Sequence, residues 1–397
     1  RDTQASNPQA EIGIGATVTR GGLLKLERVF VHHNRGGGLA VGGRDSGMEL
    51  TDVIVRDTLL QSADAGEGTG ILAGTTATLT GTRLALERNR EAGLAVKGAA
   101  AAIEDLTARG TRSTGAFPRG GQGFELVTGG QLTVTRALVD DNQCDGIALA
   151  GDGGVVLTDI TVRNTHPCLA DGFGGQGLSL QEGVSATATR IRVENNRSFG
   201  IFADGANTRL TLNDVAALDT AGDEGIGGNG GRYGVGLQAQ TGAQIQLSRA
   251  RVERSREVGV LAIALGKISD SDVVVRETLE SDCPPAVCVA RAGIGAAALE
   301  GGSLVLTTFS ITDNAELGLE LSDGGTADLQ AGEIANNPIG ANVQTRDFDL
   351  GRIQREVIFR GNTQTIITQF LLLPQLNHPV PCAEITGRRA TPPAGRT

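Results

Sequence analysis

The chain repeats one short pattern along nearly its whole length. Each copy has an apolar residue, any residue, a second apolar residue, two further residues and then Asn, Thr or Ser, as in Val29 to Asn34, Leu84 to Asn89 and Ile160 to Thr165. An apolar pair at i and i+2 places both side chains on one face of a β-strand. One copy is too short to bury that face alone, so neighbouring copies must stack into a solenoid.

The polar residue that closes each copy recurs at two alternating intervals. Short intervals of 22 to 24 residues alternate with long intervals of 31 to 36, so the repeating unit is a pair of coils. The short interval suits one three-sided turn of a β-helix, and no helical period runs through it. The sequence therefore predicts an all-β solenoid, a parallel β-helix of about 13 coils with alternating short and long coils.

The recurring polar residues are expected to point inward and to align in one column. Side chains stacked about 4.8 Å apart can form a hydrogen-bonded ladder, in which neighbouring like residues satisfy each buried amide. The expected ladder consists of Thr3, Asn34, Thr58, Asn89, Thr111, Asn142, Thr165, Asn196, Thr220, Ser255, Thr278, Asn314 and Asn337. In the short coils a Gly follows four residues later, as at Gly38 and Gly146, and we assign these glycines to tight corners with positive φ.

These repeats resemble the right-handed parallel β-helix superfamily, which includes pectate lyases and polygalacturonases, over about residues 1–365. The paired-coil style, with Val55 to Thr58 followed by Gly68 to Ile71, is also similar to uncharacterised secreted β-helix repeat proteins of myxobacteria. The resemblance implies a fold rather than an activity, because this solenoid hosts lyases, hydrolases, epimerases, adhesins and phage tailspikes.

The two ends of the chain differ in how well they keep the repeat. We expect residues 1–346 to form the β-helix, 347–377 the final coil and a C-terminal cap, and 378–397 a tail rich in Pro, Arg and Gly. Arg1 to Thr3 repeats Arg56 to Thr58, so the β-helix is expected to continue upstream of residue 1. An open end would leave strand edges unpaired.

Composition narrows the classes of partner. The formal net charge of −10 argues against nucleic acid, which needs a basic face. No apolar run approaches the length of a membrane span.

The five cysteines fit disulfides in an oxidising compartment better than free buried thiols. The expected pairs are Cys144 with Cys168 and Cys283 with Cys288, with Cys382 unpaired or bonded upstream.

The sequence contains no complete set of catalytic residues. Asp270 and Asp272, like Asp347 and Asp349, are spaced to share a strand face for acid–base or calcium chemistry, but solvated surface charge is the simpler interpretation. The sequence has no Gly-His-Gly block of the polygalacturonase type. His32 and His33 are adjacent and are expected to point to opposite sides of a strand, so no metal site and no cofactor is predicted.

The long coils carry extra residues after the Thr of the ladder, and these are expected to form a row of loops. The acids of these loops are candidate binding residues: Asp64, Glu67, Asp171, Asp223, Glu224 and Asp282. An even row suits repeated contacts more than one catalytic centre. We therefore expect a secreted or cell-surface scaffold or binding protein of a high-GC bacterium, with glycans or lateral self-association as partners. The alternative is a polysaccharide-active enzyme, a lyase or glycoside hydrolase.

Overall fold

The computed structural model describes residues 13–60, 68–113, 120–169, 172–223, 233–282 and 292–368. All the strands in these residues belong to two parallel sheets, with fourteen strands in each. The one helix among these residues is the short α1 (Gly351–Gln354). Each strand pairs with the equivalent strand of the coils before and after it. The chain is therefore a parallel β-helix, as the repeat predicts.

Sheet 1 contains the shorter strands, most of them six residues long. They are β1 (Gly13–Thr19), β3 (Gly36–Gly42), β5 (Thr69–Gly74), β7 (Ala92–Lys97), β9 (Gln122–Val127), β11 (Asp145–Ala150), β13 (Gln176–Gln181), β15 (Phe199–Asp204), β17 (Val235–Gln240), β19 (Val258–Ile263), β21 (Ile294–Leu299), β23 (Leu317–Leu321), β26 (Ile339–Val343) and β28 (Gln364–Ile367).

Sheet 2 contains the longer strands, most of them ten residues long. They are β2 (Leu23–His32), β4 (Gly47–Arg56), β6 (Thr78–Glu87), β8 (Ala100–Arg109), β10 (Gln131–Asp140), β12 (Gly154–Arg163), β14 (Ser185–Glu194), β16 (Arg209–Leu218), β18 (Gln244–Glu253), β20 (Lys267–Arg276), β22 (Ser303–Thr312), β24 (Thr326–Gln330), β25 (Gly332–Ala335) and β27 (Val357–Arg360). Strands β24 and β25 pair with the two halves of β22, so thirteen coils cross sheet 2 in the described residues, in agreement with the expected number.

Each ten-residue strand bends at its sixth residue, which divides the strand into two sides of the coil. In β12 this residue is Asp159, with a left-handed φ of 59°. Val155 and Leu157 face the core before the bend, and Ile160 and Val162 face it afterwards, so the bend shifts the alternation by one residue. We call sheet 1 side A, the first five residues of the long strands side B, and the last four side C. The ladder residues follow side C.

The glycines of the short coils are needed for a different reason from the one expected. None of Gly38, Gly93, Gly146, Gly200, Gly259 and Gly318 has a positive φ. A Cβ on Gly146 would lie 2.3 Å from Cγ1 of Val162 and 2.8 Å from the carbonyl oxygen of Gly177. The prediction of positive-φ corners was therefore wrong, and close packing between coils requires these glycines.

The coils continue further than the sequence pattern does. Strand β27 pairs with β25, and β28 pairs with β26, so parallel strand pairing extends to Ile367. Ile367 lies inside the stretch that was expected to be the final coil and cap. The expected tail, residues 378–397, and the start of the chain up to residue 12 lie outside the described residues.

Candidate functional site

The expected ladder residues from Asn34 to Asn337 are all buried. The side chains of Asn89, Asn142, Asn196, Asn314 and Asn337 hydrogen-bond to the preceding coil. The Nδ2 of Asn142 donates to the carbonyl oxygen of Ala108 at 2.9 Å, and its Oδ1 accepts from the amide of Thr111 at 3.0 Å. Asn89, one coil pair before Asn142, and Asn196, one coil pair after it, make the same pair of contacts. Thr3 lies outside the described residues.

The ladder differs from a stack of like side chains. In the described coils, ladder side chains hydrogen-bond to each other only at Asn314, Asn337 and Asn362. The Nδ2 to Oδ1 distances there are 3.0 and 3.2 Å. Elsewhere an Asn alternates with a Thr and bonds backbone groups, and the Oγ1 atoms of Thr58 and Thr111 have no partner. The expectation of amides satisfied by their own kind was therefore wrong for most coils, because alternating Thr residues separate the amides.

One expected disulfide is present between the described cysteines. Cys144 and Cys168 are bonded, with 4.5 Å between their Cα atoms, and they tie a short coil to the following long one. Cys283, Cys288 and Cys382 lie outside the described residues, so their pairing stays a prediction.

The described loop acids are already engaged. Asp223 is only 3% exposed, and one of its oxygens accepts from Oγ of Ser198 at 3.5 Å. Asp282 is exposed and lies 3.8 Å from Nε of Arg256. The remaining candidates, Asp64, Glu67, Asp171 and Glu224, lie outside the described residues, so a row of binding loops stays a proposal.

A second column of polar residues, which the sequence reasoning missed, runs along the bend between sides B and C. Arg and Asp alternate there from coil to coil, all with left-handed φ: Arg28, Asp52, Arg83, Asp105, Arg136, Asp159, Arg190, Asp214, Arg249 and Asp272. Four of the arginines bind the Asp of the preceding coil with both Nε and Nη2, as Arg83 binds Asp52 at 2.5 and 2.9 Å. These hydrogen bonds hold the pKa of Asp52 below its usual value. The signal was in the sequence, since this residue always precedes the apolar pair.

Opposite charges also pair at the end of side C. Arg109 binds Glu87 and Arg163 binds Asp140. Burial would raise the pKa of Glu253, but hydrogen bonds from Arg251 and Arg276 outweigh it and lower the pKa to about 2. The side chain of Glu253 is fully buried by these arginines.

A shallow depression of about 510 Å³ lies on side C beside the Arg–Asp bend. Ala216 forms its floor, and Arg192 and Arg251 flank it in the coils on either side. The two arginines are therefore roughly 10 Å apart, twice the coil spacing. Each also bonds an acid of its own strand, Glu194 and Glu253 respectively. Guanidinium groups held in this way can donate to a flat or anionic ligand.

Asp270 occupies a core position of side B. It lies in register between Leu247 and Leu306, it is 6% exposed, and neither carboxylate oxygen has a hydrogen-bond partner. Burial raises its pKa to about 7. The interpretation of Asp270 as solvated surface charge was therefore wrong, because the strand turns it inward while Asp272 faces solvent at the bend.

Glu320 is the other strongly perturbed acid. It points outward from β23 on side A, yet it is 0% exposed, and burial raises its pKa to about 8. Gln344 donates to its Oε1 at 3.2 Å, while Oε2 has no partner. Asn342 lies beside it in register on β26, and the charge of Glu316 adds to the rise in pKa.

His32 and His33 are not on opposite sides. Their Nδ1 atoms are 2.8 Å apart, because His33 has a left-handed φ of 53° and the strand bends there. The alternation expected for an extended strand was wrong at this corner. No three or more His, Cys, Asp or Glu side chains are arranged to hold a metal ion anywhere in the described ranges.

No helix in the part of the chain that the structure describes is long and apolar enough to cross a membrane.

No protein-family model matches the sequence, and no curated protein does either. Among solved structures, the chain is similar to the A-module of the Azotobacter vinelandii mannuronan C-5 epimerase AlgE6, with a TM-score of 0.40 and 10% identity over 88% of this chain and 87% of that one. It is also similar to the pectate lyase Pel9A, with a TM-score of 0.32 and 12% identity over 77% of this chain and 71% of that one. Both likenesses are too remote to assign an activity.

Proposed function

We propose that this chain is a secreted or cell-surface β-helix that acts as a scaffold or binding protein and not as a catalyst. The observation that carries the proposal is the Arg–Asp column, in which arginines lower the pKa values of four acids of the bend and so hold them ionised. General acid–base catalysis needs an accessible carboxyl group with a pKa near the working pH. The pKa values of Asp52, Asp105 and Asp159 are instead lowered by their arginines.

The acids that have raised pKa values support the same proposal. Asp270 lies among core leucines, and Glu320 is 0% exposed on side A. A substrate cannot reach either group in this conformation. Their positions also differ, since one faces the core and the other faces outward from sheet 1, so they do not converge on one reacting centre.

Binding is proposed along side C and the neighbouring loops. The ladder Thr residues that precede these loops in the sequence recur every two coils, roughly 10 Å apart, and Arg192 and Arg251 have the same spacing. Repeated weak contacts of this kind suit an extended ligand such as a glycan, or lateral self-association, because avidity supplies the affinity. The Cys144–Cys168 disulfide supports an oxidising compartment.

The test combines binding with a search for turnover. The full chain is applied to immobilised polysaccharides, the same polysaccharides are assayed for release of oligosaccharides, and sedimentation reports self-association. We expect retention on at least one polysaccharide, or self-association, without any release of products. Arg192→Ala combined with Arg251→Ala should weaken retention about tenfold. Arg209→Ala, an exposed arginine on side B, is the matched control.

A second candidate function, a polysaccharide-active enzyme, is favoured by one observation, the raised pKa of Glu320. A protonated carboxyl beside Asn342 has the chemistry of a general acid. If oligosaccharides are released, Glu320→Gln should abolish the release, whereas Glu125→Gln should not. Glu125 is at the same position of β9 but lies 3.4 Å from Nζ of Lys97. Product release that depends on Glu320 would contradict the non-catalytic proposal.

A further inference from the structure

Side B carries a regular outward-facing array that neither the loops nor the Arg–Asp column explains. It is formed by the third and fifth residues of strands β6, β8, β10, β12, β14, β16, β18, β20 and β22, which gives two columns of nine. One column is Thr80, Ala102, Thr133, Val156, Thr187, Thr211, Gln246, Ser269 and Val305, and the other is Thr82, Glu104, Thr135, Thr158, Thr189, Asn213, Ser248, Ser271 and Thr307. We call this array the hydroxyl face, because twelve of its eighteen residues are Thr or Ser.

The hydroxyl face is a two-dimensional lattice. Every neighbouring pair in both columns is in parallel register, as with Thr133 and Val156, and then Val156 and Thr187. Neighbours along a column are about 4.8 Å apart, and the two columns are separated by two residues of strand, about 6.6 Å. The left-handed bend lies after the fifth residue, so it does not interrupt the array.

The chemistry of the face is unusual for this chain. Charged residues are 20% of the sequence, yet Glu104 is the one charge among these eighteen positions, and Arg136 neutralises it. Thr is β-branched and stiff at χ1, so its hydroxyl and methyl groups are held in fixed directions. Thr80, Thr133 and Thr187 are exposed. Such a surface presents fixed hydrogen-bonding groups and small apolar groups to water at constant intervals.

The ligand that fits this face is itself a lattice of hydrogen-bonding groups without charge. The hydroxyl face has no aromatic ring that could stack on a sugar. The surface of ice is a regular lattice of uncharged oxygens that donate and accept hydrogen bonds. We propose that the hydroxyl face binds ice, with each Thr or Ser hydroxyl adding one weak contact, so that affinity comes from the number of contacts in register.

The test uses the full chain and ice itself as the probe. Wild-type protein is cooled with slowly growing ice, and the amount incorporated is compared with the amount left in the liquid, while recrystallisation inhibition is measured in parallel. We expect the protein to be enriched in the ice and to slow recrystallisation. Thr133→Lys combined with Thr187→Lys should raise the concentration needed by about an order of magnitude, because a long charged side chain holds the face away from the ice.

The matched control is Thr107→Lys combined with Thr161→Lys. These threonines face outward on side C of β8 and β12, so the same substitution is made on the neighbouring coils but away from the array. This control should behave as the wild type, and thermal unfolding should show that all the proteins are folded. Exclusion of the wild-type protein from ice would overturn the proposal. So would an equal loss in both double variants, or retention on crystalline cellulose or chitin in place of ice.

Discussion

Two columns of alternating polar residues run along this solenoid, one buried and one exposed. The buried column follows side C and alternates Asn with Thr, while the exposed column lies at the bend and alternates Arg with Asp. Asn142 bonds backbone groups of the coil before it, which have no access to water. Arg190 bonds Asp159, and both side chains are more than a third exposed.

The two columns are equally regular, but their hydrogen bonds contribute differently to the free energy of unfolding. A buried backbone group that loses its partner bears the full desolvation penalty, since water cannot replace the partner. An exposed ion pair competes with water, loses side-chain entropy and is screened by salt. We infer that the Asn column determines whether the coils stack, while the Arg–Asp column adds little to the free energy of unfolding. Three substitutions, one at a buried acid outside both columns and one in each column, test how burial sets this contribution.

The largest effect is expected at Asp270, a buried polar group that belongs to neither column. Its pKa rises from 3.8 to about 7 on folding, so the folded state favours the protonated acid. Ionisation of Asp270 therefore does not lower the free energy of unfolding below about pH 4. The free energy of unfolding then falls as the pH rises, and the full loss is reached above pH 7. Asp270→Leu should raise the free energy of unfolding at pH 8 by about 4 kcal/mol.

The measurement for Asp270 is chemical denaturation of both proteins from pH 4 to pH 8. The gain from Asp270→Leu should shrink as the pH falls. Asp272→Leu, at the exposed bend two residues away, is the matched control and should show no comparable pH-dependent gain. A gain at Asp270 that is the same at every pH would mean that the carboxyl is solvated.

The next effect is expected from breaking the buried column. Asn142→Leu leaves the carbonyl of Ala108 and the amide of Thr111 without their partner, and it should lower the free energy of unfolding by about 1 to 3 kcal/mol. Asn213→Leu replaces an Asn that faces outward on side B, so the same chemical change should be close to neutral. Equal melting curves for Asn142→Leu and the wild type would contradict the importance of the ladder.

The smallest effect is expected from breaking the exposed column. Asp159→Asn removes the charge that Arg190 binds, and we expect no measurable change in the midpoint of unfolding at physiological ionic strength. Because the hydrogen bond to Arg190 lowers the pKa of Asp159, any contribution exists above the ordinary pKa and is lost as the pH falls. A large loss of stability at pH 7 would show that the two columns are equally important.

Much of the architecture could be read from the repeat. The apolar pairs predict the strands, and the two intervals predict paired coils. The third position after Val139 closes the repeat, which predicts that Asn142 is buried. The Cys144–Cys168 bond follows from the same register, since the two cysteines lie two and three residues after ladder positions in adjacent coils. The Arg–Asp column was equally legible, because Arg83 and Asp105 both stand directly before an apolar pair.

Other features depend on backbone conformation that no local pattern reports. His32 and His33 meet because His33 is left-handed, and the alternation rule for strands fails wherever such a residue stands. The repeat pattern identified Gly38 and Gly146, but it did not explain why glycine is needed there. The atoms that exclude a Cβ at these positions belong to the next coil.

The sequence by itself determined the stacking of coils, because the apolar face of each copy is buried only by its neighbours and the spacing of copies sets the length of a turn. The tertiary structure alone decided what each polar residue meets. The sequence suggests that Asp270 is a surface acid, but β20 places it in the core between Leu247 and Leu306. Glu320 faces outward from its strand and is nevertheless fully buried. The physical reason is that strand alternation fixes a side chain's face only relative to its neighbours, whereas burial and pKa depend on the coils stacked above and below.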